Sequence, residues 1–275
     1  MTGITLLTGA TGFVGRQILN ALIAKNRAVR TVIRTNTQGR LLETSHVESV
    51  ITTEDLFAED VSWWKDACKG VDTVIHAAWY AEPGKYLQAP QNLDCLIGTL
   101  QMAKGASLAN VKRFAGIGTC FEYDLSNGFL STATPLNPLT PYAGAKAAAF
   151  EALSQWLPAQ NVEFIWCRLF YLFGEGEDTR RLVPYIRSQL RAGREAELTS
   201  GDQVRDFIDV AQAGRLIVDA VDSRRAGAVN ICSGTPITVR QLAEQIGDEL
   251  GRGDLLKFGA KPDRPFDPPT VVGIP

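Results

Sequence analysis

Apolar positions along this chain fall into two rhythms. Residues 4–8, Ile-Thr-Leu-Leu-Thr, carry no charge and read as a strand buried on both faces. Just beyond, Phe13, Val14, Ile18, Leu19, Leu22 and Ile23 recur three and four apart, which places them on one face of a helix. The alternation repeats, with strands expected at 28–33, 47–51, 72–77, 113–117 and 162–169 and helices at 60–69, 91–109 and 141–157. Six strands alternating with helices imply an α/β chain, a doubly wound parallel sheet covered on both faces. After Gly174 the rhythm loosens into helices at 181–192, 210–221 and 239–250 and short strands at 197–199 and 229–232. The chain is therefore expected to divide into residues 1–170 and a smaller annex, 171–275, partly interleaved with the first. Pro262, Pro265, Pro268 and Pro269 forbid helix near the end and imply an extended strap.

The junction of the first strand and first helix carries the first chemical signal. Gly9 permits a tight turn, Gly12 a close backbone approach to a pyrophosphate, and Gly15 close packing of helix on strand. Free N–H groups at the helix start, around Thr11, Phe13 and Val14, then face phosphate, which points to a dinucleotide. The second strand ends at Arg34, nineteen residues after Gly15, where a carboxylate would receive the adenosine ribose. A positive charge suits a 2′-phosphate, so NADP(H) is expected over NAD(H), with Arg30 and Arg40 also close. Asp55 and Leu56 follow the third strand and are expected to meet the adenine. Ala77 and Ala78 are small where the backbone runs beside the cofactor, and His76 reads as structural because nothing near it in sequence orients it.

Reaction chemistry is expected at Thr119, Tyr142 and Lys146. Tyr142 and Lys146 are four apart on one helix and share a face, and Thr119 leaves the end of the fifth strand, where open α/β sheets bind ligands. A tyrosine has a pKa of about 10, and an adjacent ammonium is expected to favour its phenolate and ease proton transfer.

Composition narrows the field without adding a site. Net charge is −2 with both signs mixed along the chain, which offers no stripe for nucleic acid and no basic face for a membrane. Five scattered cysteines, none in a C-x-x-C pair, argue against disulfides and zinc and for a reducing compartment, the cytoplasm. No charged leader precedes the first strand and no apolar run reaches membrane-spanning length, so neither export nor insertion is expected.

With these residues in view, the sequence resembles the extended short-chain dehydrogenase/reductase family, in its nucleotide-sugar epimerase/dehydratase/reductase branch, over nearly the whole chain. The motifs are T-G-A-T-G-F-V-G at 8–15, D-T-V-I-H-A-A at 72–78, Thr119 with Tyr142 and Lys146, R-L-F-Y-L-F-G at 168–174 and R-D-F-I-D-V at 205–210. The resemblance implies a Rossmann-type sheet with a small C-terminal substrate-binding annex, and dimers formed through helices 91–109 and 141–157. It implies a diphosphate contact at Arg205, helped by Lys261 or Arg264, and a sugar site shaped by Cys120 and Tyr171. Departures from the family matter as much. Relatives that dehydrate sugars carry Asp-Glu where this chain has Cys120 and Phe121. Relatives that couple reduction to epimerisation use a Cys and a His, whereas Cys120 comes one place early and the histidines are His46 and His76. Tyr171 and Cys95 stand where asparagines are usual. The resemblance thus implies NADP-dependent reduction of a keto group on a nucleotide-linked 4-keto-6-deoxysugar. An NAD-dependent nucleotide-sugar 4-epimerase is the alternative enzyme, and a cofactor-sensing regulator the alternative outside catalysis.

Overall fold

Seven strands lie side by side in the computed structural model, which describes residues 3–41, 46–263 and 267–275. In chain order the elements begin β1 (Ile4–Thr8), α1 (Phe13–Ala24), β2 (Val29–Arg34), β3 (Val47–Thr53), α2 (Val61–Ala67), β4 (Val71–His76), α3 (Gln91–Leu108) and β5 (Arg113–Thr119). They continue with β6 (Phe129–Leu130), α4 (Pro141–Ala159), β7 (Glu163–Leu169), β8 (Tyr171–Phe173), α5 (Leu182–Arg191), β9 (Ala196–Glu197), β10 (Val204–Asp209) and α6 (Val210–Asp222). The last are β11 (Gly227–Ile231), β12 (Pro236–Thr238), α7 (Val239–Glu249), β13 (Leu256–Lys257) and β14 (Thr270–Gly273).

The large sheet runs β11-β7-β5-β4-β1-β2-β3, and every pairing in it is parallel. Its central strands are buried almost throughout because both faces are covered. One core gathers Leu7, Ile33, Ile75 and Ile165 against α1 and α6, and the other gathers Leu6, Val32, Val74 and Phe114 against α2, α3 and α4. Strand order reverses at β1, with β2 on one side and β4 on the other. The carboxyl ends of β1, β4 and β5 therefore open onto the crevice where sheets of this kind take a ligand.

The sheet has one strand more than the sequence suggests. The strand expected in the annex around 229–232 is β11, and it extends the large sheet beside β7. Its crossover helix is α6, which packs on α1, so the segment from β8 through β10 is an insertion between β7 and its parallel neighbour. A strand's own sequence does not say which sheet it will join. The smaller sheet has the order β12-β10-β14-β6, with β8 also paired to β10, and α5 and α7 share a separate apolar core with Leu198 and Phe258. Of the prolines near the end, Pro262, Pro268 and Pro269 lie in no helix and Pro265 falls outside the described residues, and β14 inserts between β10 and β6, parallel to both. Asp206, fully buried, ties this layer together by accepting from Ser233 N and Oγ, Gly234 N and Gly273 N.

Among the described residues no helix is long and apolar enough to cross a membrane, and no cluster of side chains could hold a metal ion.

Candidate active site

Three backbone segments crowd together at the end of β1. Gly9 turns the chain at φ +75°, and a Cβ there would stand 2.8 Å from Ala78 N. A Cβ on Gly15 would stand 2.0 Å from the Gly9 carbonyl, so α1 sits directly on the turn. Gly12 donates to Gly9 O at 2.9 Å and opens α1 with no side-chain cap. A Cβ on Gly12 would meet only Gly9 O, at 3.3 Å, so the approach from outside is open. An uncapped helix start reached through a glycine fits a bound pyrophosphate, with the N–H groups around Thr11, Phe13 and Val14 free to donate.

The flanking positions sort themselves by their partners. Arg30 is committed to Ser49 Oγ at 3.0 Å and to the carbonyls of Ala67 and Lys69. Arg34 is exposed, and no carboxylate pairs with it among the described residues. Asp55 accepts from Phe57 N at 2.9 Å and lines a cavity of about 200 Å³ with Phe57, Ala58, Asp94 and Ile97, while Leu56 is buried. Ala77 and Ala78 press against Gly9, and Ala78 N donates to Thr8 Oγ1. His76 is oriented after all, by residues distant in sequence: Nδ1 meets Thr8 Oγ1 and Nε2 meets Thr99 Oγ1, each at 2.9 Å. Burial, and secondarily the charge of Lys146, pushes its pKa down to about 3, so it is neutral and structural.

Thr119, Tyr142 and Lys146 converge. Thr119 ends β5, lies beside the Tyr142 hydroxyl, and caps the single turn Cys120–Glu122 by accepting from Phe121 N. Thr140 caps α4 by accepting from Ala143 N, and Pro141 begins the helix, which fixes the turn that carries Tyr142 and Lys146. Lys146 is buried, donates to the Ile117 carbonyl at 2.6 Å and lies 3.7 Å above the Trp79 ring. Burial lowers its pKa to about 7, against the pull of Glu122 and Cys95.

The electrostatics differ from the expectation that Lys146 draws Tyr142 toward its phenolate. Burial raises the Tyr142 hydroxyl well above its usual range, with Tyr86 and Glu122 adding to the effect and the Thr119 hydroxyl opposing it. The ammonium is turned to a backbone carbonyl and an indole face, and it is not among the leading influences on Tyr142. Tyr142 is thus a protonated donor.

Three residues of this site gave no signal in the sequence. Tyr86 meets the Tyr142 ring edge-on at 4.8 Å and Trp79 does so at 6.4 Å. Asn92 holds both, accepting from Trp79 Nε1 at 2.9 Å and donating to Tyr86 O at 2.6 Å. The loop between β4 and α3 has no periodicity that would reveal which of its aromatic residues turn inward.

On the annex side, Arg205 lies 5.3 Å over the Tyr171 ring, and Tyr171 meets Phe121 edge-on. Arg205 donates to Asp267 at 2.6 Å, a partner the sequence did not disclose. Cys120 is a core thiol beside Tyr123 and Phe170, and burial pushes it up to about 12. Cys95 accepts from Tyr80 N at 3.4 Å and so ties the loop to α3. Lys261 stands over the Tyr185 ring, 3.4 Å from its hydroxyl, and no hydrogen bond or ring contact joins it to Arg205. Arg264 lies outside the described residues.

A family model described as the NAD dependent epimerase/dehydratase family matches residues 5–232. The chain belongs to that family. A family member from Aggregatibacter actinomycetemcomitans, dTDP-6-deoxy-L-talose 4-dehydrogenase (NAD(+)), is 26% identical, the match covering 98% of each chain. A second, from Kitasatospora kifunensis, is dTDP-6-deoxy-L-talose 4-dehydrogenase (NAD(P)(+)), 25% identical over 88% of this chain and 78% of that one. Among solved structures, the UDP-N-acetylglucosamine 4-epimerase of Methanobrevibacter ruminantium M1 matches with a TM-score of 0.87 at 23% identity, covering 99% of this chain and 89% of the other. That likeness establishes the family's α/β fold here. The glycine turn and Thr119, Tyr142 and Lys146 all lie within the matched span.

Proposed function

We propose that this protein is an NADP(H)-dependent oxidoreductase that reduces the keto group of a nucleotide-linked 4-keto-6-deoxysugar. The observation that carries this reading is the meeting of Thr119, Tyr142 and Lys146 beside positions 120 and 121, which hold a buried thiol and a phenyl ring. Reduction needs only a proton donor, an orienting hydroxyl and a cofactor, whereas elimination also needs an acid and base where Cys120 and Phe121 stand. Two relatives named as 6-deoxy-talose 4-dehydrogenases support the class of substrate.

The glycine turn and the start of α1 would hold the pyrophosphate, and Arg34 the 2′-phosphate of NADP(H). The bound nicotinamide supplies the hydride. Thr119 donates a hydrogen bond to the substrate carbonyl oxygen and fixes its place. Tyr142 delivers its proton to that oxygen, and the Lys146 ammonium offsets the charge left on the phenolate. Arg205, stacked on Tyr171, is the cation for the diphosphate, and Lys261 marks the outer rim of the annex. We further propose a homodimer formed through α3 and α4, and a cytoplasmic setting in keeping with five free, buried thiols.

The test is to incubate purified protein with NADPH and nucleotide 4-keto-6-deoxysugars and follow the loss of the reduced-nicotinamide absorbance band. The expected result is stoichiometric oxidation, abolished in Tyr142→Phe and strongly slowed in Thr119→Val. Tightly held NAD⁺ together with interconversion of two 4-hydroxyl epimers, with no net absorbance change, would replace the reductase by an epimerase.

A further inference from the structure

Behind Thr119 lies a layer of polar groups that the reaction proposed above does not use. Glu122 is wholly buried and accepts from Thr119 N at 2.8 Å, from Trp166 Nε1 at 3.0 and 3.1 Å, and from Arg168 Nε at 2.7 Å. The Arg168 guanidinium is itself sealed between the rings of Tyr123 and Phe150, 4.4 and 4.5 Å away. A buried ion pair of this kind is weak evidence for stability, because well-packed apolar side chains of the same volume often do as well. Its position is more informative than its strength.

Glu122 and Lys146 grip the same strand end. Lys146 donates to the carbonyl of Ile117, and two residues on, the amide of Thr119 donates to Glu122. Between them stands Trp166, its ring 5.9 Å from the Lys146 ammonium and its indole N–H on the Glu122 carboxylate. The room for this arrangement comes from glycine. A Cβ on Gly118 would stand 2.2 Å from Trp166 Nε1 and 2.5 Å from Glu122 Oε1, and one on Gly116 would stand 2.2 Å from the indole ring. The titratable groups that act on Lys146 or feel it are Glu122 after β5, Cys95 on α3 and His76 on β4, and Tyr142 stands one turn before it on α4. Burial keeps the Cys95 thiol, raised to about 11, and the His76 ring uncharged near neutral pH, and Tyr142 protonated. Glu122 is the carboxylate among them.

We propose that Glu122 is a positioning residue of the active site: its carboxylate fixes Thr119 from behind and supplies the counter-charge of Lys146 across the Trp166 indole. This rests on Thr119, Tyr142 and Lys146 being the catalytic groups. Burial drives Lys146 toward its neutral form, and Glu122 is the leading influence that opposes it. Without Glu122, the lysine would lose its proton earlier and the phenolate formed on Tyr142 would go uncompensated.

Lys146 can be read without turnover. In protein carrying carbon-13 at lysine Cε, the Lys146 resonance, identified by its loss in Lys146→Met, is titrated in wild type and in Glu122→Gln. Glutamine keeps an acceptor for the Thr119 amide and removes the charge. The expected result is a fall of on the order of one unit in the Lys146 midpoint, with the high-pH limb of kcat/KM moving down by a similar amount. An unchanged midpoint in folded Glu122→Gln overturns the proposal. Should that variant fail to fold because Arg168 is left unpaired, the pair Glu122→Gln/Arg168→Met removes both buried charges and is judged by the same shift. A wild-type protein inert toward every keto-sugar would count against the reductase reading alone, since the titration stands apart from it.

Discussion

At the scale of the residue, the proposed reaction makes Lys146 the group that sets its response to pH. Its ammonium is buried, and that burial lowers its pKa to about 7. Reduction should be fastest while that charge is present, so kcat/KM for the keto-sugar is expected to decline as pH rises through about 7. A profile flat from neutrality into the alkaline range would show that Lys146 does not act on Tyr142. His76 bears on stability instead. Its folded pKa lies below the unfolded value, so between 6.5 and about 3 the unfolded chain binds a proton that the folded one refuses. Stability is expected to fall across that window on acidification, and His76→Asn should flatten the slope in a series of thermal melts. In the proposed reaction Arg34 sets the choice of cofactor. Arg34→Asp exchanges an attraction to the 2′-phosphate for a repulsion, which should weaken NADPH by roughly ten to a hundredfold and NADH little. Equal losses for the two cofactors would reduce Arg34 to a surface residue.

At the scale of the element, the start of α1 illustrates how a local motif depends on its neighbours. The Gly9, Gly12 and Gly15 spacing was legible as a phosphate turn, but the reason Gly15 cannot vary is the Gly9 carbonyl 2.0 Å from its absent Cβ. Backbone cannot yield as a side chain can. Gly15→Ala is therefore expected to cost about 1 to 3 kcal/mol of stability and to weaken cofactor binding, read by denaturant melts and cofactor fluorescence. Helix α3 shows the reverse case, an apolar stripe left uncovered. Leu93, Ile97 and Leu108 are 62%, 50% and 57% exposed on its outer face. In the proposed dimer these residues are covered, and Leu93→Glu with Ile97→Glu should yield monomers by light scattering. A wild type that is already monomeric at micromolar concentration would remove the dimer.

At the scale of the whole molecule, the C-terminal strand closes the smaller layer. β14 lies between β10 and β6, and the Ile274 carbonyl accepts from Asn230, which stands on β11 of the large sheet. Deleting residues 270–275 would strip two strands of their partner while leaving the crevice at β1, β4 and β5 in place. Substrate binding is expected to be lost while the cofactor still binds, with proteolysis concentrated after Phe173.

What the sequence determined by itself was local and periodic. The alternation of apolar runs and helical spacing dictates parallel strands with crossover helices, the glycine spacing dictates the turn at 9–15, and Tyr142 and Lys146 share a helix face at any tertiary arrangement. Tertiary structure alone decided the rest. It assigned β11 to the large sheet, found the orienting partners of His76 at Thr8 and Thr99, gathered Trp79, Tyr86 and Asn92 around Tyr142, and set Glu122 behind Thr119. It also reversed the expected direction at Tyr142, where burial holds the hydroxyl protonated. The physical reason is common to all of these. Propensity and periodicity act over a few residues along the chain, whereas hydrogen-bond partners, desolvation and strand neighbours are fixed by segments that meet only when the whole chain has folded.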